Sequence, residues 1–171
     1  KIKLNNSGLN VLLNKKVVLV SGAGGSIGAE LCRQLIKFKP KTIVCLDISE
    51  YALYSLEQSF INEKIKTKLI YVVADIKNEE RVSKLIKRFS PASVFHAAAY
   101  KHVPLMEKEN VSEALLNNAL GTYILADTCQ KLRVKKFVLI STDKAINPTN
   151  VMGASKRLAE ILCNQLQNKN G

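Results

Sequence analysis

Five short apolar runs recur along the chain, each followed by a stretch whose apolar residues return at helical spacing, and this alternation limits the fold more than any other feature. The runs are Val17–Val20, Thr42–Leu46, Leu69–Val73, Ser93–His96 and Phe137–Ser141. Val17-Val18-Leu19-Val20 has no polar alternation, as a strand covered on both faces requires. Between the runs, Ile27, Leu31 and Leu35 with Cys32 and Ile36 form one helical stripe, closed by Pro40. A second helix starts at about Ser49 with Leu53, Leu56 and Phe60, and a third, over about 78–89, carries Val82, Leu85, Ile86 and Phe89. A loop at about 101–110 contains Pro104, a long helix covers roughly Val111–Lys131, and a last helix runs from near Asn150 to the end. Crossover helices join parallel neighbours, so the expected fold is α/β: a doubly wound parallel sheet with strand order 3-2-1-4-5 and helices on both faces.

A chain of 171 residues, 47% hydrophobic and 23% charged, suits one globular domain and excludes a disordered or fibrous class. Residues 1–14 are polar and read as an irregular N-terminal arm, with the domain over 15–171. The longest charge-free runs, Val17–Ala29 and Ala114–Ala126, fall short of the roughly 18–20 residues a spanning helix needs, so no membrane insertion is expected. No signal peptide is expected at Lys1, since no apolar run with a small-residue cleavage site follows it. Cys32, Cys45, Cys129 and Cys163 stand apart among apolar neighbours and form no Cys-x-x-Cys pair; buried reduced thiols in a cytoplasmic protein, and no metal site, are the expectation. The net charge of +12 is spread along the sequence, mostly as lysine, without a nucleic-acid-binding signature. A solubilising surface and no nucleic-acid partner are expected.

Ser21-Gly22-Ala23-Gly24-Gly25-Ser26-Ile27-Gly28 lies between the first strand and its helix, the context that gives a glycine motif meaning. Backbone amides at Gly22, Gly24, Gly25, Ser26, Ile27 and Gly28 can approach a pyrophosphate because no bulky side chain intervenes, and the helix N-terminus adds partial positive charge. The sheet is therefore expected to be Rossmann-like and to bind a dinucleotide. Asp47 closes the second strand, where a carboxylate receives adenosine ribose hydroxyls; the other reading is a helix cap, for which Ser49 serves as well. A carboxylate there, with no arginine in 48–53, favours NAD over NADP. Asp75 and Ile76 follow the third strand, beside the adenine in the expected strand order, although Asp75 suits a helix cap equally.

Ser141-Thr142-Asp143-Lys144 ends the fifth strand with a hydroxyl, a carboxyl and an amine in four residues, facing the expected coenzyme. Met152-Gly153-Ala154-Ser155-Lys156 follows. From the fourth strand, Ala97, Ala98 and Ala99 are small enough for close cofactor approach, and Tyr100, Lys101 and His102 are candidates to contact a sugar or its phosphates. For His102 a structural role has equal standing.

The glycine loop, Asp47, Asp75-Ile76, the alanine run and Lys156 together resemble the extended short-chain dehydrogenase/reductase superfamily. The stretches from His96 to Glu107 and from Ser141 to Lys156 more closely resemble the polysaccharide-biosynthesis branch of nucleoside-diphosphate-sugar 4,6-dehydratases, of the UDP-N-acetylglucosamine type. The likeness begins near Leu13 and covers nearly the whole chain. It implies an NAD-dependent hydro-lyase that makes a UDP-4-keto-6-deoxy sugar for polysaccharide or glycan synthesis. It further implies Asp143 as acid for the leaving C6 hydroxyl, Lys144 as base at C5, Thr142 hydrogen-bonded to the C4 oxygen, and Lys156 on the nicotinamide ribose. The superfamily's Tyr-x-x-x-Lys becomes Met152-x-x-x-Lys156; a thioether moves no proton, and this departure is shared by membrane-anchored members of the branch. Asn118 resembles the superfamily's helix-bending asparagine, an ordering residue rather than a chemical one.

The resemblance also implies homodimerisation through the helices at 111–131 and 150–168, a C-terminal substrate lobe outside this chain, weak turnover by the chain alone, and a parent protein on the cytoplasmic face of a membrane. The alternatives are a nucleotide-sugar epimerase or oxidoreductase of the same superfamily, and a non-catalytic dinucleotide-binding module.

Overall fold

The computed structural model describes residues 6–168. A five-stranded parallel sheet has the order β3-β2-β1-β4-β5, built from β1 (Val17–Ser21), β2 (Thr42–Asp47), β3 (Lys68–Val73), β4 (Ser93–His96) and β5 (Lys136–Leu139). Helices α2 (Ser26–Ile36) and α3 (Glu50–Phe60) cover one face, where Cys32, Leu35, Leu53 and Leu56 pack on Val18, Val20, Ile43 and Cys45. Helix α4 (Glu79–Phe89) and the helix after β4 cover the other, setting Val82, Leu85, Ile86, Leu125 and Cys129 against Leu19, Val44, Leu46 and Val94. Alternate residues of one strand thus serve two cores, which is why the central runs lack polar alternation. Each such side chain, fully buried, contributes roughly 1.5–3 kcal/mol of transfer free energy.

The expected arm is, from Asn6, a helix, α1 (Asn6–Leu13); residues 1–5 lie outside the described residues. Leu9, Leu12 and Leu13 have the i, i+3, i+4 spacing of one face, and that short stripe packs on the same core as α2. The loop at 101–110 contains the short helix α5 (Val103–Met106). The long helix expected over Val111–Lys131 is interrupted: α6 (Val111–Leu115) passes into a π-helical turn, Leu116–Leu120, before α7 (Gly121–Lys131). Strand β5 stops at Leu139, short of Ser141, after which Asp143–Ala145 forms a 3-10 turn and α8 (Val151–Asn168) follows. Ser49 and Asn78, not Asp47 or Asp75, cap α3 and α4, accepting from the amides of Ala52 and Arg81.

Candidate active site

The glycine turn is shaped by contacts that exclude side chains. Gly22 has φ +70°, and a Cβ there would strike the backbone of Ala97 and Ala98; one on Gly28 would strike the carbonyl of Gly22. Helix α2 therefore begins directly against β1. Its N-cap, Gly25, offers no side-chain acceptor, so the first-turn amides are left to a ligand. Asp47 holds the turn from the side: its Oδ2 accepts from the Gly24 amide at 2.9 Å and its Oδ1 from the Ser49 amide at 2.9 Å. Each oxygen keeps a lone pair for a further donor.

Across the switch point, a cavity of about 340 Å³ is lined by Ile27, Ala97, Ala99, Tyr100, Lys101, Ile140, Ser141, Thr142, Lys144, Met152 and Lys156. Residues far apart in sequence thus converge on one pocket. Lys101 turns back toward the glycine turn, its Nζ donating to Ser26 Oγ at 3.2 Å. Ala98 packs behind Gly22. Ile76 is buried against Gly121, and Asp75 is held by the Lys77 amide and ammonium; neither lines the pocket. His102 does not line it either and serves as the N-cap of α5. A groove of about 690 Å³ runs beside the free edge of β5, but it lacks the glycine turn.

The polar corner after β5 has a defined electrostatic state. Thr142 Oγ1 donates to Asp143 Oδ1 at 2.9 Å, and Lys144 Nζ stands 3.7 Å from the same oxygen. The Thr142 hydroxyl first, and the Lys144 charge second, hold the Asp143 carboxyl below its ordinary range, so it stands ionised in this state. Lys156 is almost completely buried, donates to the Ile140 carbonyl at 2.7 Å, and has its pKa lowered by desolvation. Met152 packs with Met106 and Ala114.

Helix α8 is docked at its start by residues from two loops. Asn150 Oδ1 accepts from the Gly153 amide and Glu107 Oε1 from the Val151 amide, both at 2.7 Å. A Cβ on Gly153 would strike the Lys144 carbonyl, so the helix and the polar corner touch backbone to backbone.

One network was not legible from sequence. His96 is fully buried, with Nδ1 2.6 Å from Ser21 Oγ and Nε2 2.8 Å from Thr122 Oγ1. Thr122 gives its one hydroxyl proton to the Asn118 carbonyl, so it accepts from His96 Nε2–H, and Nδ1 in turn accepts from Ser21. Burial holds this neutral imidazole down to about pKa 3. The Asn118 side chain continues the chain, accepting from the Tyr100 amide and donating to the Tyr100 carbonyl and to Ser155 Oγ. The available signal was a histidine inside an apolar strand, which must find partners.

A parallel sheet in the order 3-2-1-4-5, with a glycine turn at the first strand and a polar corner after the fifth, defines a Rossmann-like α/β protein. The family model described as polysaccharide biosynthesis protein matches residues 18–171. The chain belongs to that family. It is 47% identical over 159 residues to the capsular polysaccharide biosynthesis protein CapD of Staphylococcus aureus, covering 92% of this chain and 26% of that protein. It is 33% identical over 152 residues to an inverting UDP-N-acetylglucosamine 4,6-dehydratase of Campylobacter jejuni, covering 88% and 43%. Among solved structures, Pen from Bacillus thuringiensis superposes with a TM-score of 0.86 at 34% identity, over 94% of this chain and 49% of that one. A UDP-glucose 4-epimerase from Brucella ovis in complex with NAD shares the fold, with a TM-score of 0.74 at 23% identity over 88% and 47%. The chain therefore spans about a quarter of the length of CapD and under half of the dehydratase.

Proposed function

We propose that the chain is the coenzyme-binding and catalytic part of an NAD-dependent UDP-N-acetylglucosamine 4,6-dehydratase acting in polysaccharide synthesis. The observation that carries this reading is the convergence of Ile27, in the first turn of the helix that follows the glycine turn, with Thr142, Lys144, Met152 and Lys156 on one pocket. The residues fit the coenzyme: uncapped amides at α2 and Lys101 suit its diphosphate, and the free lone pairs of Asp47 suit ribose hydroxyls. NAD supplies reversible hydride exchange, so that oxidation at sugar C4 and reduction at C6 leave it unchanged.

The chain's own residues bind, orient and move protons. The buried Lys156 ammonium presents a fixed charge between α8 and the end of β5, suited to orienting the nicotinamide ribose and lowering the pKa of the C4 hydroxyl. Thr142 is the hydroxyl for the C4 oxygen. Passage of the Lys144 ammonium proton to the Asp143 carboxylate, 3.7 Å away, leaves an amine that takes the C5 proton and a carboxylic acid that gives one to the departing C6 oxygen. Because Asp143 is exposed and ionised in the open corner, it must be desolvated by substrate before it can donate. Met152 leaves the position four residues before Lys156 without a phenol, which favours elimination over a simple redox reaction at C4.

The test incubates the chain, alone and as part of its full-length protein, with NAD and UDP-N-acetylglucosamine and follows the sugar nucleotide by mass. Loss of one water with a keto product supports the reading; a C4 epimer of unchanged mass assigns the epimerase reaction instead. Calorimetry with NAD and NADP tests the coenzyme, and heat from neither overturns the proposal.

A further inference from the structure

Folding gathers a charge that the sequence disperses. In a parallel sheet wound by helices, every helix-to-strand connection lies at one end, opposite the glycine turn. Counted with the first residue of each strand, these connections carry two basic residues in 14–17, three in 37–42, three in 61–68 and three in 132–136. The one carboxylate among them is Glu63. At the pocket end, the strand-to-helix connections counted with the last residue of each strand hold four lysines against five carboxylates. Nearly all of the chain's +12 thus stands on the end away from the pocket.

Those cations are exposed, and none of them has an ion-pair partner among the described residues. Three sit in the left-handed region that favours glycine or asparagine: Lys15 (φ 55°), Lys39 (φ 53°) and Arg133 (φ 57°). A cation is kept there despite the conformational cost. Favourable interaction with helix C-termini accounts for charges in a last turn, but Lys41, Lys68 and Lys136 lie beyond it, where strands begin.

The shape and chemistry fit a broad anionic plane. Five strands at about 4.8 Å spacing make an end roughly 20 Å wide. All but one of its cations are lysines, point charges without the bidentate fork that nucleic-acid readers favour. Ile61, 66% exposed, stands in the same end, an apolar side chain able to enter a headgroup layer. A cleft of about 410 Å³ lined by Lys87, Ser90, Arg133 and Lys135, among others, opens there too. We infer that this end is a docking surface for an anionic lipid bilayer, which turns the catalytic pocket toward the aqueous phase, where a soluble sugar nucleotide arrives.

Co-sedimentation of the chain with phosphatidylcholine vesicles, with and without phosphatidylglycerol, tests this. Binding to the anionic vesicles alone, abolished by high salt, is expected. The variant K39E/K66E/K135E is expected to lose roughly tenfold or more in partitioning. K84E/K108E/R157E, an equal charge change elsewhere on the surface, is expected to retain binding. Circular dichroism and NAD calorimetry on both variants keep lost docking apart from lost folding and from failure of the coenzyme reading. Equal loss in both variants, equal binding to neutral vesicles, or binding to duplex DNA but not to vesicles overturns the inference.

Discussion

Two titratable side chains are buried beside the pocket, and different physics holds each. Lys156 keeps its ammonium because the Ile140 carbonyl meets it; His96 gives up its charge because its three-element network needs a neutral ring. An unfolded histidine takes a proton near pH 6.5, whereas His96 does so only near 3. Between those values the unfolded chain binds more protons, so stability falls as pH is lowered through that window, with a slope of up to about 1.4 kcal/mol per pH unit. Urea denaturation between pH 6.5 and 5.5, above the ordinary carboxylate range in which the unfolded chain's counterparts of Glu80, Asp143 and Glu160 take up protons, measures it. Thr122→Val leaves the His96 Nε2–H without an acceptor and is expected to cost about 1–3 kcal/mol, while Thr122→Ser, which keeps the hydroxyl, costs much less. Asp47→Ala frees the Gly24 amide and removes the proposed ribose acceptor; calorimetry is expected to give a loss of NAD affinity of roughly tenfold or more.

At the scale of elements, the π-helical turn explains how one asparagine reaches two neighbours. The wider turn at Leu116–Leu120 carries Asn118, which holds Tyr100 by both backbone groups and touches Ser155 of α8. The pocket wall and the helix bearing Lys156 are therefore fixed to a single side chain. Helix α8 closes on the polar corner because position 153 has no Cβ. Gly153→Ala sets a methyl against the rigid Lys144 carbonyl and is expected to destabilise the chain by about 1–3 kcal/mol in urea denaturation, although alanine is otherwise the better helix former.

For the whole molecule, Leu115, Leu116 and Leu120 are 40–42% exposed, as are Leu158 and Ile161 of α8, which packs beside α7. We expect this face to pair with a second copy. Light scattering on Leu120→Lys/Leu158→Lys is expected to give a monomer where the parent chain gives a dimer; two monomers would remove the expectation.

The order of the five strands, both helical faces, the glycine turn and the polar corner after β5 were legible in the chain, because each rests on local periodicity or on residues within one turn. The arm at 6–13 was misread because a stripe of three leucines among polar residues is too short to stand above its surroundings. The interruption of the helix after Val111 carries no periodic signature, since the π turn is stabilised by partners about 18 and 37 residues away. Which polar side chains pair inside the core, and that scattered lysines assemble into one cationic end, were decided only by the tertiary structure. Sequence spacing fixes what a residue does along its own element, whereas hydrogen bonding between elements and the summing of charge depend on distances that exist only once the sheet is wound.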